Sequence, residues 1–464
     1  MISRTLRPSG LRMLNNKNSL PMRLLFLFTF LVSASYTAKA QAQQQLLIEN
    51  VRILDHKSQS LTGPMHVLVV DKNIQKISAT AIKEVSKDVL RIDGAGKTLM
   101  PGLIDAHVHL VFGSLTMPQM MTNDLSEEFL VKTIGASAHK MLMRGFTSVR
   151  DVGGPIFPLK AAIDAGKISG PKIWPSGATI SQTAGHGDFR TPNEKSRRFF
   201  GEVSRAERLG ATFVADGRAE VLTAVRENLR FGASQIKLMA GGGTSSAYDP
   251  VDVTQYTLDE MKAAVEAAED WGTYVTVHAY TPRAIKRAIE AGVKCVEHGQ
   301  LLDEETLKLI AQNNIWLSLQ NLVDDTPDMD PQRKAKRKPV LEGQDKVWPL
   351  AKKLGVKLAW GTDFLFEPEL NEQQNTIILR LQKWFTNAEI LKMITQDNGE
   401  VLQLAGLRSP YPGKLGLVEE GAMADLLLVD GNPLADLSLI ANPDKNFLLI
   451  IKDGQIYKNT LQKK

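Results

Sequence analysis

A single cysteine, Cys295, stands in a chain of 464 residues, so no intramolecular disulfide can staple the fold. Stability must come from a large core, which 43% hydrophobic and 23% charged residues can supply in a globular enzyme. Acids are missing from the first forty residues, which carry Arg4, Arg7, Arg12, Lys17, Arg23 and Lys39. Removing those six positive charges takes the formal charge from +5 to −1. The basic balance therefore belongs to this segment, and a nucleic-acid partner loses its electrostatic support. The apolar run there, Leu24–Val32, is too short to cross a bilayer as a stable helix. A basic start, a short apolar run and Ala38-Lys39-Ala40 read as a secretory signal over residues 1–40, with Met22 as an alternative start. No cysteine lies at the cleavage site to carry a lipid. Export without disulfides fits a bacterial periplasm.

Phosphate-binding motifs are also lacking. Gly94-Ala-Gly-Lys-Thr98 resembles a P-loop fragment, but Arg91 occupies the position of the required earlier glycine. Gly241-Gly-Gly-Thr-Ser-Ser has neither the P-loop lysine nor the dinucleotide spacing and reads as a flexible loop. The basic cluster from Asp330 to Lys338 reads as a solvated surface helix or loop. No internal repeat stands out.

What is present is an alternation of apolar strands with longer helical stretches. Strands are expected to end near His107, Asp151, Thr179, Gly241, Tyr280, Gln300, Gln320 and Asp363. Helical stretches over 257–271, 282–291 and 303–313 lie between several of them. Eight such strands predict an α/β fold, a (β/α)8 TIM barrel, over residues 99–403. Short strands and turns at 41–98 and 404–464 are compatible with both chain ends pairing into one small β-domain or with two separate decorations of the barrel.

In a barrel, chemistry gathers at the C-terminal strand ends. That filter selects His107 and His109 on the first strand, Lys237 on the fourth, His278 on the fifth, His298 on the sixth and Asp363 on the eighth. Alternate residues of a strand share a face, so His107 and His109 converge. Lys237 sits between Ile236 and Leu238, where burial lowers an ammonium's pKa, and a neutral amine can take up carbon dioxide as a carbamate. The expected centre has two divalent ions, zinc by ligand type. His107, His109 and Asp363 would hold one, His278 and His298 the other. The Lys237 carbamate and a hydroxide would bridge them. Asp363 would move the proton from that hydroxide to the leaving amine. His56, His66 and His139 fall away from the strand ends and read as structural or solvent-facing.

These segments, with Pro101-Gly-Leu-Ile-Asp-Ala-His-Val-His and Gly421-Ala-Met-Ala-Asp-Leu-Leu-Leu-Val-Asp, resemble the metal-dependent amidohydrolase superfamily. The resemblance is greatest to its imidazolonepropionase-related branch, where Xaa-Pro or hydrophobic dipeptidases and ochratoxin-hydrolysing enzymes fall. The ligating lysine points away from true imidazolonepropionases, which are mononuclear. The resemblance implies a (β/α)8 barrel, a β-sandwich built from both chain ends, and hydrolysis of amide bonds in small molecules or dipeptides. It also implies substrate contacts from Tyr280 and His186. Arg150 is a candidate for a substrate carboxylate or for pairing with an acid such as Asp151, and Tyr248 is a further loop candidate. A cyclic amidase or deaminase, and a binding protein on an inactive barrel, are the alternatives. Related proteins often assemble, so a homo-oligomer is a further expectation.

Overall fold

The computed structural model describes residues 44–122, 124–246 and 248–461. The expected signal at 1–40 lies outside them. Eight parallel strands carry the middle of the chain: Leu103–Val108 (β1), Phe146–Asp151 (β2), Lys172–Pro175 (β3), Ile236–Met239 (β4), Val275–Ala279 (β5), Cys295–His298 (β6), Trp316–Leu319 (β7) and Lys357–Trp360 (β8). β1, β2 and β3 pair in one sheet, and β4 through β8 pair in sequence in another. Single hydrogen bonds beside the strands link the two sheets: the Ser234 N–H, just before β4, donates to the Pro175 carbonyl of β3 at 2.7 Å, and the Asp363 N–H, just after β8, donates to the His107 carbonyl of β1 at 2.9 Å. The strand expected to end near Thr179 is split into β3 and a short strand, Thr179–Ser181, which together with Thr212–Val214, not expected from sequence, extends the second sheet beside β4.

Residues of β1, β2, β3, β4, β5, β6 and β7 are buried throughout, as parallel strands covered on both faces must be. The covering helices begin where capping chemistry allows. Thr257 and Glu260 form a capping box ahead of Leu258–Asp270, and Asp303 accepts the Thr306 N–H ahead of Glu304–Gln312. Gly292, at φ +100°, ends Pro282–Ala291.

The chain ends share one eight-stranded sheet. Leu426–Val429 pairs antiparallel with Thr98–Pro101, which itself pairs with Gln45–Asp55. A buried ion cluster ties this sheet to β3, where the Lys172 ammonium lies 2.6 Å from Asp425 and 2.8 Å from Asp453. Among the described residues, no helix is long and apolar enough to cross a membrane.

Candidate metal centre

All six side chains selected from strand ends gather at one end of the parallel strands. His107, His298 and Asp363 each offer a ligand atom, and those atoms lie within 4.8 Å of one another. Asp363 Oδ1 stands 3.2 Å from His107 Nε2 and 3.3 Å from His109 Nε2. The His278 and His298 rings are 4.3 Å apart between centroids. The Lys237 ammonium group lines the same cavity and finds no hydrogen-bond partner among the described residues, although the residue is only 1% exposed.

Local backbone geometry delivers these groups. His298 and Asp363 both sit at positive φ, +82° and +53°, which costs a non-glycine residue energy. The turn breaks strand alternation, and the ring of His298 joins those of His107 and His278. Asp105 staples the turn that bears Asp363: its carboxylate accepts from Thr362 through both N–H and hydroxyl, and from Gln374. Gly361 must be glycine here, because a Cβ would sit 2.4 Å from the His107 backbone nitrogen.

Three of the four imidazoles are turned by the nitrogen they do not offer to the centre. His107 Nδ1 donates to Glu297 at 2.8 Å, His109 Nδ1 to the Gly153 carbonyl at 2.9 Å, and His278 Nε2 to the Gly242 carbonyl at 3.1 Å. Fixing one ring nitrogen on an acceptor leaves the other as a lone-pair ligand. For His107 that other nitrogen is buried and faces the Asp363 carboxylate at 3.2 Å.

Electrostatics agree with this arrangement. Burial pushes His278, His298 and His109 toward the neutral form, reinforced at His278 by the neighbouring histidines and opposed at His298 and His109 by Asp363. Burial also lowers Lys237. Asp363 stays well below the usual carboxylate range: burial opposes this, but His107, His109 and His298 outweigh it. Three imidazoles favoured neutral, an ionised carboxylate and a destabilised ammonium match the protonation pattern a divalent cation requires, while at His107 burial is outweighed by the acids beside it, which hold that ring toward its protonated form. The donor set therefore fits metal binding.

Tyr280 and His186 reach the site as expected. Tyr280 lies edge-on to His278 and 5.0 Å from the His298 ring. His186 stacks on His278 at 3.9 Å. Its Nδ1 contacts Ser246 Oγ at 2.8 Å and buried Asp249 at 3.3 Å. The glycine run expected to be flexible is packed instead. A Cβ on Gly243 would meet the His186 ring at 1.9 Å, so only glycine lets that ring seat.

Arg150 does not reach the cavity, and its candidacy for a substrate carboxylate is corrected. Its guanidinium is fully buried beneath the cluster, donating to Glu297 at 2.6 Å, to the Ala106 carbonyl at 2.5 Å and to the Tyr274 hydroxyl at 3.1 Å. The acid it pairs with comes from β6, not from the adjacent Asp151. Tyr248 is half exposed and lines a second cavity, not the central one. Sequence reasoning missed Glu297, Asp105 and Asp249. Only Glu297 had a signal, its place directly before His298.

The central cavity measures about 540 Å³. The ligand cluster forms its floor, and Phe112, Phe189 and Phe366 form one wall. The same three rings border the second cavity, of about 220 Å³. A floor of imidazoles and carboxylate beside an aromatic wall suits hydrolysis of a small molecule with an apolar portion.

Fold and site together define a hydrolase acting on carbon–nitrogen bonds. Residues 98–457 match the amidohydrolase family, and the chain belongs to it. Within the family it falls in the branch of ochratoxinase and the Xaa-Pro dipeptidases. It is 31% identical over 377 residues to ochratoxinase of Aspergillus niger, covering 78% of this chain and 75% of that one. A prolidase complexed with N-methylphosphonate-L-proline superposes with a TM-score of 0.81 at 33% identity, covering 90% of this chain and 100% of the other. A Xaa-Pro dipeptidase with methionine bound in its active site gives a TM-score of 0.75 at 28% identity, with the same coverage.

Proposed function

We propose that the protein is an exported binuclear metal hydrolase that cleaves the amide bond of Xaa-Pro or hydrophobic dipeptides, or of N-acyl amino acids. One observation carries this reading above the others. The Lys237 amine is buried and unpartnered in the midst of four histidines and Asp363, where a plain ammonium is costly and a carbamate gains ligand partners. His107, His109 and Asp363 would hold one ion, His278 and His298 the other, with the Lys237 carbamate between them. Two divalent ions, zinc by donor type, supply Lewis acidity and an activated water when bound.

The chain's own groups do the rest. Asp363 accepts a proton from the attacking water and passes it to the leaving amine, a role suited to a carboxylate kept ionised. The Tyr280 hydroxyl, held protonated by burial, donates to the substrate carbonyl oxygen as charge builds there. His186 faces the same cavity and orients the substrate. Phe112, Phe189 and Phe366 exclude water and take the apolar side chain. We further read the two parallel sheets as one closed barrel over 99–403, with 41–98 and 404–464 as the small domain, and residues 1–40 as a signal removed on export to the periplasm. The names of the relatives, an ochratoxinase, a prolidase and a Xaa-Pro dipeptidase, support the substrate class.

The test is a panel of Xaa-Pro dipeptides, N-acyl amino acids and cyclic ureides, assayed with zinc and bicarbonate. Turnover of linear amides is expected. Activity confined to ring substrates overturns the dipeptidase reading in favour of a cyclic amidase.

A further inference from the structure

The basic stretch from Asp330 to Lys338, expected to be a solvated surface, opens the helix Pro331–Lys353 and leans over the cavity mouth. Arg333 and Arg337 lie four residues apart, hence on one helix face, and both line the central cavity. Their environments differ. Arg333 is 38% exposed and reaches Glu367 at 3.3 Å. Arg337 is 5% exposed and held from behind, with Nε donating to Asp325 at 2.6 Å and Nη2 to the Val323 carbonyl at 2.6 Å. Its remaining nitrogen, Nη1, has no hydrogen-bond partner among the described residues.

A guanidinium clamped on two sides, with a free edge on a cavity, is built to receive a planar anion. The charge of Arg337 also bears on the Tyr280 hydroxyl, which places it within electrostatic range of the reacting end of the cavity. Of the acids lining the cavity mouth, Asp324 pairs with Arg380, Glu367 with Arg333, and Asp330 accepts the Arg333 N–H, while Asp328 has no ion pair among the described residues. Arg150, the arginine that sequence suggested for this task, is committed to Glu297.

We propose that Arg337 is the specificity-determining anchor for a carboxylate on the amine half of the substrate. The enzyme would then select amides whose leaving amine is an amino acid with a free carboxylate, over C-terminally amidated peptides and uncharged amides. This assignment rests on the hydrolase reading above.

The experiment uses the zinc-loaded full chain and leucyl-proline, N-acetyl-leucyl-proline and N-acetyl-phenylalanine, each as free acid and as carboxamide. Wild type is expected to favour the acids at least about tenfold in kcat/KM, as expected for a charge-assisted hydrogen-bonded pair. Arg337→Met should lower kcat/KM for the acids by about 10- to 100-fold, mainly through KM, and change the carboxamides by less than about threefold. Arg337→Lys should keep part of the preference. Asp325→Asn controls for simple loss of the structural pair and should retain the preference for acids. Equal losses on acid and amide in Arg337→Met, matched by Asp325→Asn, would overturn the anchor and leave a structural ion pair. An unchanged acid preference in Arg337→Met overturns it alone, with the hydrolase reading intact. Absence of turnover for every acid and amide in wild type refutes the hydrolase reading, and the anchor with it.

Discussion

Glu297→Gln isolates the part of the site that sequence did not single out. The Glu297 carboxylate is fully buried and accepts from four donors: Arg150 at 2.6 Å, His107 Nδ1 at 2.8 Å, the Thr276 hydroxyl and, more weakly, the Cys295 thiol at 3.4 Å. Burial opposes its ionisation, but Arg150 and His107 hold it well below the usual carboxylate range. Glutamine keeps the shape and removes the charge. Arg150 then remains in the interior without its counter-ion, and breaking a buried pair from one side costs about 3–5 kcal/mol. The amide still accepts one hydrogen bond, so about 3 kcal/mol of lost stability is expected. His107 also loses its charged acceptor, and outer partners of this kind are worth about 10- to 100-fold in metal affinity. Urea unfolding of the chelator-treated protein measures the first effect, and zinc competition titration the second. The double variant Arg150→Met with Glu297→Gln should be more stable than the sum of the singles by at least about 1 kcal/mol, since neither charge is then stranded. A Glu297→Gln protein within about 0.5 kcal/mol of wild type, with unchanged zinc affinity, would refute the reasoning.

Lys237→Ala should reduce bound zinc from two equivalents toward one and abolish amide turnover; metal analysis with the substrate panel checks both, and retention of two ions would contradict the bridging role. Gly243→Ala should lower turnover at least about tenfold with little change in the unfolding midpoint, because the new Cβ displaces the His186 ring and not the core. Acid lability should be traceable in part to His56, which burial and then Lys392 push down to about 4 from 6.5. A depressed pKa favours the neutral folded form, so this contribution is complete above pH 6.5 and is lost as pH falls toward 4, by up to about 3 kcal/mol. His56→Gln, which keeps a polar group near the Thr395 hydroxyl, should flatten the stability profile between those values; an unchanged slope would assign the lability elsewhere.

Much of this molecule was legible in its sequence because strands in a parallel α/β fold are local and covalently phased. β1 ends one residue beyond His107, β5 one residue before Tyr280, and β7 one residue before Gln320. Six polar residues at the ends of apolar runs therefore announced a cluster before any contact was known. Lys237 was readable for the same reason, being the one charge in an apolar strand. Helix limits followed caps such as Thr257 and Asp303, whose hydrogen bonds are made within four residues.

What sequence could not carry was the identity of partners distant along the chain. Arg150 and Glu297 are 147 residues apart, and nothing local distinguishes an arginine that meets a buried carboxylate from one that meets a substrate. Arg333 and Arg337 look like any solvated basic turn until the helix that bears them is laid over the cavity mouth. The glycine run resembled a loose loop, although its lack of side chains makes room for His186. By itself the sequence determined which side chains gather on the cavity floor, since strand phase and residue type suffice for that. Tertiary structure alone decided which charges are neutralised internally and which face the cavity. That choice depends on burial and on pairing across strands and loops, which no local pattern encodes.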